Sequence, residues 1–546
     1  MRITNKIMQR NNLTNINNNK VLEDKLTTQL STEKKISRPS DDPVIAIRAL
    51  RLRSNVTEVT QYYSKNIPDA ESWLKVTQDA LSSLSTVITS MQSQCTRGAN
   101  GSLETKDRKV ILEELQALKD EVYKTGDADY AGRYVFTGYR TDTPLSFQKA
   151  TTHEYTITEQ VDKGVIDSIY HVKTEGAAGD ITKWTAANFN NTQAGIKEQD
   201  VVATDPIYRI RLAYNNCDAT MNGLNYPDAD GNPAASGVPM ITYYEGTNLQ
   251  TLPVTQTISV NDDPYSQMES LGADAVIYVP ETGEILLGSN SYNKLMSTED
   301  AVSTGGVDEK EIRITYQKTE WLATDLRPEH YFYTVGKDAV KDDAGNITVD
   351  DASKIEYNKD YLDGTLEKQS IEYDVGFNTV IRVNSTADEC FVLGIGREVD
   401  DLITSMQQVL DLESIKSQIS DKIQQTPETD TANMELLNNQ MDAVEKALTY
   451  ARDICQKRFE RGITSMQGFL DDTSLAITNN GTRSSKLELI EKRLQNQKTT
   501  FETLQSENED IDVTEVAINL SSAETTYQAA LMATGKIMQN TLLNYI

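Results

Sequence analysis

The feature that most constrains this chain is a heptad pattern over residues 512–546. Apolar or small residues recur there at alternating steps of three and four, which is typical of a helix that packs along another helix. The seam consists of Val513, Val516, Leu520, Ala523, Tyr527, Ala530, Thr534, Ile537 and Thr541. Asp512 and Glu515 can form a capping box at its start. Because small residues alternate with large ones, this helix gains little stability alone and needs a partner.

Residues 1–35 carry a weaker helical periodicity. Its apolar positions are Ile3, Ile7, Leu13, Ile16, Leu22, Leu26 and Leu30. Seven asparagines fall before Lys20, and asparagine is a poor helix former. We therefore expect an arm that is not helical in isolation and becomes ordered on contact with its neighbours.

The charge is uneven along the chain. The formal net charge is -29, which makes nucleic acid an unsuitable partner for the chain as a whole. Residues 1–100 hold 14 Lys and Arg against 9 Asp and Glu, whereas residues 487–546 hold 4 against 9. These opposite signs fit two terminal segments that pack side by side. Solvated faces without such a partner explain them equally well.

The four cysteines suit neither a disulfide framework nor a metal site, because they are far apart and none forms a CxxC pair. Cys95 and Cys455 fall on apolar helical faces, where we expect small buried hydrophobes. No apolar run reaches the roughly 18 residues that a membrane-spanning helix needs, so no membrane insertion is expected. The Asn-rich start has no apolar core region, and we expect no cleaved secretory signal.

Helical stripes flank the middle of the chain. We predict helices over residues 44–95, 102–125, 398–470 and 485–545, with a kink or restart at Pro68 and a break at residues 479–481. Asp42 can cap the first of these helices, with Pro43 at its first position, and Ser102 can cap the second. A tight turn at residues 97–101 predicts that these two helices form an antiparallel hairpin.

The middle of the chain has a different character. Residues 130–139 switch to aromatic and β-branched residues with glycines, which predicts a strand or hairpin. Residues 141–390 hold nine of the 13 prolines, and short alternating runs recur there between turn signals. The expected fold class is α+β, in which the terminal segments form an elongated helical bundle or coiled coil around a large β-rich insert.

These patterns predict six segments. Residues 1–43 form an assembly arm and loop, and residues 44–147 form the first helical half of the bundle. Residues 148–369 form a solvent-facing β-rich insert of one or two subdomains, and residues 370–396 lead back to the bundle. Residues 397–511 form its second helical half, and residues 512–546 form a terminal assembly helix. The two ends must meet, since an insert with its own core leaves and re-enters its host at adjacent points.

A search for chemistry finds no catalytic residues, no cofactor site and no metal site. His153, His171 and His330 lie in unrelated settings and are expected at the surface. Residues 394–396 (GIG) lack the third glycine of a dinucleotide loop and are interpreted as a turn back into the bundle. Residues 228–232 (DADGN) resemble a calcium loop but have Pro233 at the position that needs glycine, which leaves at most a weak surface cation site.

Both ends resemble the flagellin superfamily over about 1–147 and 370–546. The N-terminal motifs are MRITNK at residue 1, the run from residue 30 to the RPSDDP loop, GANG at residue 98 and GRYVF at residue 132. The C-terminal motifs are SENEDID at residue 506, AETTYQ at residue 523 and TLL at residue 541. The RPSDDP loop comprises Arg38, Pro39, Ser40, Asp41, Asp42 and Pro43. This loop favours members that form the junction between hook and filament over filament subunits, which usually lack both prolines.

The resemblance implies a structural role. Such proteins leave the cell unfolded through the flagellar type III apparatus, without a cleaved signal, and polymerise through paired terminal helices. The implied partners are other copies of the chain in a layer, a hook-side junction protein, flagellin, and a cytoplasmic export chaperone that binds the C-terminal helix. The implied assembly residues are Ile3, Ile7, Leu13, Ile16, Val513, Val516, Leu520, Ala523, Tyr527, Ala530, Ile537 and Leu542.

Three alternatives remain open at this point. The chain could be a flagellin with a large variable insert, since filament subunits share the terminal helices. It could also be a non-flagellar secreted adhesin with helical stalks. An enzymatic insert is the third alternative, which no catalytic constellation supports.

Overall fold

The structure is a computed structural model, and it describes residues 5–101, 103–175, 181, 195–221, 237, 239–245, 248–297, 312–342, 344–362 and 369–539. The longer helices are α1 (Asn5–Thr32), α2 (Pro43–Gln61), α3 (Ile67–Gly98), α4 (Thr105–Gly126), α8 (Gly394–Gln425), α9 (Thr431–Glu509) and α10 (Val513–Gln539). Three short helices are α5 (Pro264–Leu271), α6 (Ser289–Met296) and α7 (Ala387–Cys390).

The strands lie between the two helical parts of the chain. The first nine are β1 (Asp129–Tyr130), β2 (Arg133–Tyr134), β3 (Thr151–Val161), β4 (Asp167–Ile169), β5 (Val172–Thr174), β6 (Val201–Ala203), β7 (Ile207–Arg211), β8 (Met240–Glu245) and β9 (Asn248–Leu252). The others are β10 (Gln256–Thr257), β11 (Val276–Val279), β12 (Glu284–Leu287), β13 (Ile312–Trp321), β14 (Tyr333–Lys341), β15 (Ile347–Val349), β16 (Ile355–Tyr357), β17 (Glu372–Gly376) and β18 (Thr379–Arg382). This composition confirms the predicted α+β class, with helical ends and a β-rich middle.

The chain divides into two compact units. The terminal unit comprises Met1–Glu71, Tyr373–Ile381 and Ser484–Ile546, and the central unit comprises Ser72–Glu372 and Arg382–Arg483. In the terminal unit, α2 ends in a π-helical turn at Tyr62–Asn66, immediately before Pro68. The predicted interruption of this helix is therefore confirmed. The β17–β18 turn packs on it, with the Tyr62 and Phe377 rings edge to face at 5.8 Å.

Four helices of the central unit form two antiparallel pairs. On one side α4 lies along α8, where Arg108 donates to Glu413 at 2.7 Å. On the other side α3 lies along α9, where Gln92 donates to Gln467 at 3.1 Å. The predicted stripe of α8 is fully buried, namely Val399, Leu402, Met406 and Val409. Cys95 and Cys455 are buried on these helices, as expected.

Two sheets share one core in the central unit. A five-stranded sheet has the order β10-β11-β12-β7-β4, and a seven-stranded sheet has the order β15-β14-β3-β13-β8-β9, with β16 also on β14. Alternate residues of β11 point in opposite directions. Tyr278 packs in the core between the sheets, whereas Ile277 packs against Met268 of α5. The five-stranded sheet is thus covered on both faces.

Helix α9 corrects the predicted break at residues 479–481. It runs unbroken from Thr431 to Glu509, and Asn480, in the middle of the predicted break, is fully buried. The Asn480 amide donates to the backbone oxygen of Leu74 at 2.9 Å, which satisfies a polar group that would otherwise be buried without a partner.

The interpretation of residues 394–396 as a turn is also wrong. Gly394 opens α8, and Gly396 lies in its first turn. A β-carbon on Gly396 would lie 1.6 Å from the Tyr123 hydroxyl of α4, so glycine allows the two helices to approach closely.

The expectation of surface histidines is wrong as well, since all three are partly buried. Burial lowers the pKa of His330 to about 4. Helix α4 begins at Thr105 with Glu104 at its cap position, and the predicted cap residue Ser102 lies outside the described residues. The calcium-like loop at residues 228–232 lies outside them too. No helix in the described ranges is long and apolar enough to cross a membrane.

Candidate assembly interface

A compact joint brings the first and last helices of the terminal unit together. Lys34 and Asp510 form an antiparallel bridge between the end of α1 and the start of α10. The Lys35 amide donates to the Glu509 carbonyl at 2.7 Å, and the Ile511 amide donates to the Glu33 carbonyl at 3.2 Å. The chain turns at Glu33 in the left-handed region, with a φ of 54°. The end of α1 therefore lies beside the start of α10, and the two helices run antiparallel.

Charged side chains hold this joint. Glu509 is buried, and both of its carboxylate oxygens accept from the Arg53 guanidinium of α2. Asp510 accepts from the Lys34 ammonium and from the Ser506 hydroxyl, and these hydrogen bonds lower the pKa of its carboxyl. The bond to Asp510 also raises the pKa of Lys34. The predicted meeting of oppositely charged ends is confirmed here, because cations from the N-terminal segment pair with C-terminal carboxylates.

The seam between α1 and α10 is thin. Its buried cluster consists of Leu26, Val516 and Ala523, with Leu30, Ile511 and Leu520 packed against them. The heptad residues Val516, Leu520 and Ala523 of α10 thus face α1 of the same chain. Asp512 accepts from the Thr514 and Glu515 amides at 2.9 and 3.2 Å, so Asp512 caps the start of α10 as predicted. The return bond to the Glu515 carboxylate that would complete the capping box stays a prediction.

The structure separates the predicted assembly residues into three groups. The first group is removed from solvent at least in part: Ile16, Val516 and Ala523 are buried, and Leu520, Tyr527 and Ala530 are half-buried. Those left exposed are Ile7, Leu13 and Val513. Ile3 and Leu542 lie outside the described residues, as does the side chain of Ile537. The part they play in assembly remains a prediction.

Further apolar residues that lie off the heptad phase are exposed on the same helices. Val21 of α1 is 69% exposed, and Ile518 and Met532 of α10 are 65% and 68% exposed. Helix α2 adds Val44, Ile47 and Leu50, spaced on one face and all exposed. These residues form a second apolar surface that the sequence analysis did not predict. The sequence signal for it was the presence of apolar residues outside the heptad seam, because a helix with a single partner needs only one apolar stripe.

The RPSDDP loop connects α1 with α2 and forms its own hydrogen bonds. Asp41 accepts from the Arg38 amide at 2.9 Å and from the Ser37 amide and hydroxyl at 3.1 and 3.2 Å. These bonds, that from Arg38 first, lower the pKa of Asp41. Asp42 caps α2, and Pro43 is its first residue, as predicted. Pro39 and Ser40 are exposed at the tip of the loop.

Comparison with known proteins identifies the class of the N-terminal part. Residues 3–141 match the bacterial flagellin N-terminal helical region. This stretch includes α1, the loop, α2, α3, α4 and the β1–β2 hairpin. The predicted resemblance to the flagellin superfamily is confirmed there.

Two curated relatives are flagellar hook-associated proteins. The chain is 32% identical over 167 residues to flagellar hook-associated protein 3 of Salmonella typhimurium, which covers 30% of this chain and 52% of the relative. It is 31% identical over 151 residues to flagellar hook-associated protein 3 of Escherichia coli, which covers 27% and 47%. The chain therefore matches about half the length of each relative.

Solved structures of similar description align at low similarity. A putative flagellar hook-associated protein from Vibrio parahaemolyticus covers 86% of this chain and 100% of its own, at a TM-score of 0.32 and 13% identity. The flagellar junction protein FlgL from Legionella pneumophila covers 81% and 99%, at a TM-score of 0.24 and 11% identity. Scores this low do not establish a common fold.

Proposed function

We propose that this chain is a structural subunit of the bacterial flagellum. It polymerises through α1 and α10 and forms an adaptor layer between a hook-side junction protein and the flagellin filament. The observation that carries the proposal is the antiparallel pair of terminal helices, because it has a thin inner seam and keeps large apolar residues exposed on its outer face. The flagellin region at residues 3–141 and the names of the two relatives support it.

The burial of apolar surface favours packing of the α1–α10 pair against other subunits. In a single copy, only a short row of side chains is removed from water between α1 and α10. Covering one further Leu, Ile or Met in a layer contributes roughly 1.5–3 kcal/mol per subunit. Since each subunit repeats the gain, a small apolar surface supports a stable layer. The insert at residues 148–369 then faces solvent, and residues 1–43 and 512–546 form the contacts between subunits.

The same exposed helix suits transport before assembly. We propose that a cytoplasmic export chaperone binds α10 in a groove, which covers Ile518 and Met532 until the subunit reaches the growing tip. Export follows the flagellar type III route. A weakly stabilised terminal pair suits this route because it opens at little cost.

A flagellin with a large insert is the second candidate, because filament subunits share the region matched at residues 3–141. Gold-labelled antibody against the central unit, imaged on isolated flagella, separates the two. A junction protein gives one thin labelled layer at the hook end. Label along the whole filament would replace the proposal with the filament subunit, and absence of label from hook, junction and filament would overturn both.

A further inference from the structure

A long groove crosses one side of the central unit. It lies where β4, the edge strand of the five-stranded sheet, faces α8 and α9. Two adjoining cavities form it, with volumes of about 570 and 550 Å³. Both cavities are lined by Ile169, Tyr170, Ile454 and Arg458, so they lie on either side of the same residues. Each is as large as a typical small-molecule site.

A buried ion network forms the floor of the groove. Arg209 of β7 pairs with Asp167, Glu284 and Asp401, and it is almost completely buried. Arg458 of α9 donates to Asp401 at 3.0 Å. A guanidinium group holds each carboxylate in a fixed orientation. The floor therefore presents rigid hydrogen-bonding groups, and the opposite charges largely cancel.

The walls combine aromatic faces with amides and carboxylates. The His171 and Tyr265 rings stack at 5.1 Å. His171 also lies 3.5 Å from the Gln408 amide on α8 and 3.5 Å from the Asp263 carboxylate across the groove. Tyr170 is 48% exposed and lines both cavities.

A buried polar atom beside the groove has no partner in the part of the chain that the structure describes. Arg397 lines the larger cavity and is only 9% exposed, and its Nε atom has no hydrogen-bond partner among the described residues. This atom has almost no accessible surface, so a ligand in the cavity would reach it only after the side chain moved. The part of Arg397 that lines the cavity adds a fixed cationic edge to its wall.

We propose that this groove binds a neutral oligosaccharide. The half-exposed ring of Tyr170 offers a flat face for the C–H faces of sugar rings. Sugar hydroxyls both donate and accept, so they need fixed carboxylates, amides and guanidinium groups side by side, as the floor and walls supply. An anionic ligand fits less well, since carboxylates already occupy the arginines. A peptide would use backbone groups rather than this set of side chains.

Calorimetric titration of the full chain with cellobiose, lactose and chitobiose tests the proposal. At least one disaccharide should bind in the millimolar range or tighter. Tyr170→Ala should weaken that binding about tenfold because the aromatic ring is removed. Gln408→Ala should weaken it by a similar factor. Tyr139→Ala is the matched control, because Tyr139 is also exposed and does not line the groove.

Three outcomes would overturn the proposal. The first is no heat of binding with any of the three sugars. The second is equal binding by the Tyr170→Ala and Tyr139→Ala proteins. The third is that a short neutral peptide displaces or replaces the sugars in the same titration. Because Tyr170 is exposed, its variant should unfold at the same temperature as the wild type, so loss of binding there is not loss of fold.

Discussion

The terminal and central units bury their apolar residues to very different extents. Between α1 and α10 the buried cluster holds only Leu26, Val516 and Ala523. The core between the two sheets contains large, fully buried rings, including Trp321, Tyr278 and Tyr316. The first arrangement leaves apolar surface exposed, whereas the second buries its large rings within one chain. One chain thus combines a sparsely packed helix pair with a densely packed core.

Their charges differ in the same way. The joint of the terminal unit is partly solvated, since Arg53 and Lys34 are 56% and 41% exposed beside buried Glu509. Exposed pairs contribute little and weaken with salt. In the central unit, Arg209 and Glu284 are both removed from water, where loss of one partner costs much more. Four predictions, from the largest expected effect to the smallest, test this contrast.

The largest effect should come from a charge in the thin seam. Leu520→Asp places a carboxylate against the buried cluster of Leu26, Val516 and Ala523, where it loses part of its hydration. We expect incorporation into flagella to be abolished, while tryptophan fluorescence stays native because the described tryptophans, Trp73 and Trp321, belong to the central unit. The measurement is rescue of filament attachment in cells that lack this protein. Ile537→Asp is expected to behave in the same way.

Val340→Asp is the control for that experiment, since Val340 is exposed on β14 of the insert. It should be exported and incorporated normally. If Leu520→Asp is exported at normal levels and still supports filament growth, the α10 seam is not required for assembly.

The second effect concerns the ion network. Asp401→Asn replaces the carboxylate that Arg209, Arg211 and Arg458 share with a neutral amide. We expect the central unit to lose about 3–5 kcal/mol, because buried guanidinium groups lose their counter-charge. Urea unfolding followed by tryptophan fluorescence measures this loss. Asp411→Asn on the same helix changes an exposed carboxylate that accepts from Gln407, and it should shift the curve by less than about 0.5 kcal/mol.

The third effect depends on pH. His330 is neutral in the folded protein because burial lowers its pKa to about 4, and its Nε2 has no partner among the described residues. The unfolded chain binds this proton near pH 6.5, so stability is full above that pH and falls as the pH drops toward 4. The expected loss is about 3 kcal/mol. His330→Gln should flatten the dependence over this window, and an unchanged slope would contradict the prediction.

The smallest effect should come from the middle of α9. Asn480→Ala removes the amide that donates to the Leu74 carbonyl and to Gln78, at a cost of about 1–3 kcal/mol. Its neighbour Asn479 is exposed, and Asn479→Ala should be neutral or slightly stabilising, since alanine favours helix. Thermal unfolding of both variants decides the matter. Equal shifts would show that the buried contact is unimportant.

Periodicity and local signals determined much of this protein from the sequence alone. The 3.6-residue stripes predicted the helical halves, and the short alternating runs within residues 141–390 predicted strands, of which β3 and β11 are two. The Asp42 and Asp512 caps and the interruption at Pro68 follow from chemistry within a few residues. The heptad seam of α10 was visible because it repeats along one helix.

Tertiary structure alone decided what these elements meet. Asn480 and Gly396 carry local signals for a turn, yet each lies inside a helix because a neighbouring helix supplies a carbonyl in one case and a tyrosine in the other. The ion network unites residues from β4, β7, β12, α8 and α9, and no single segment reveals such pairing. The outer apolar face of α1 and α10 became apparent only once the seam was filled, because which stripe remains exposed depends on which stripe the partner covers.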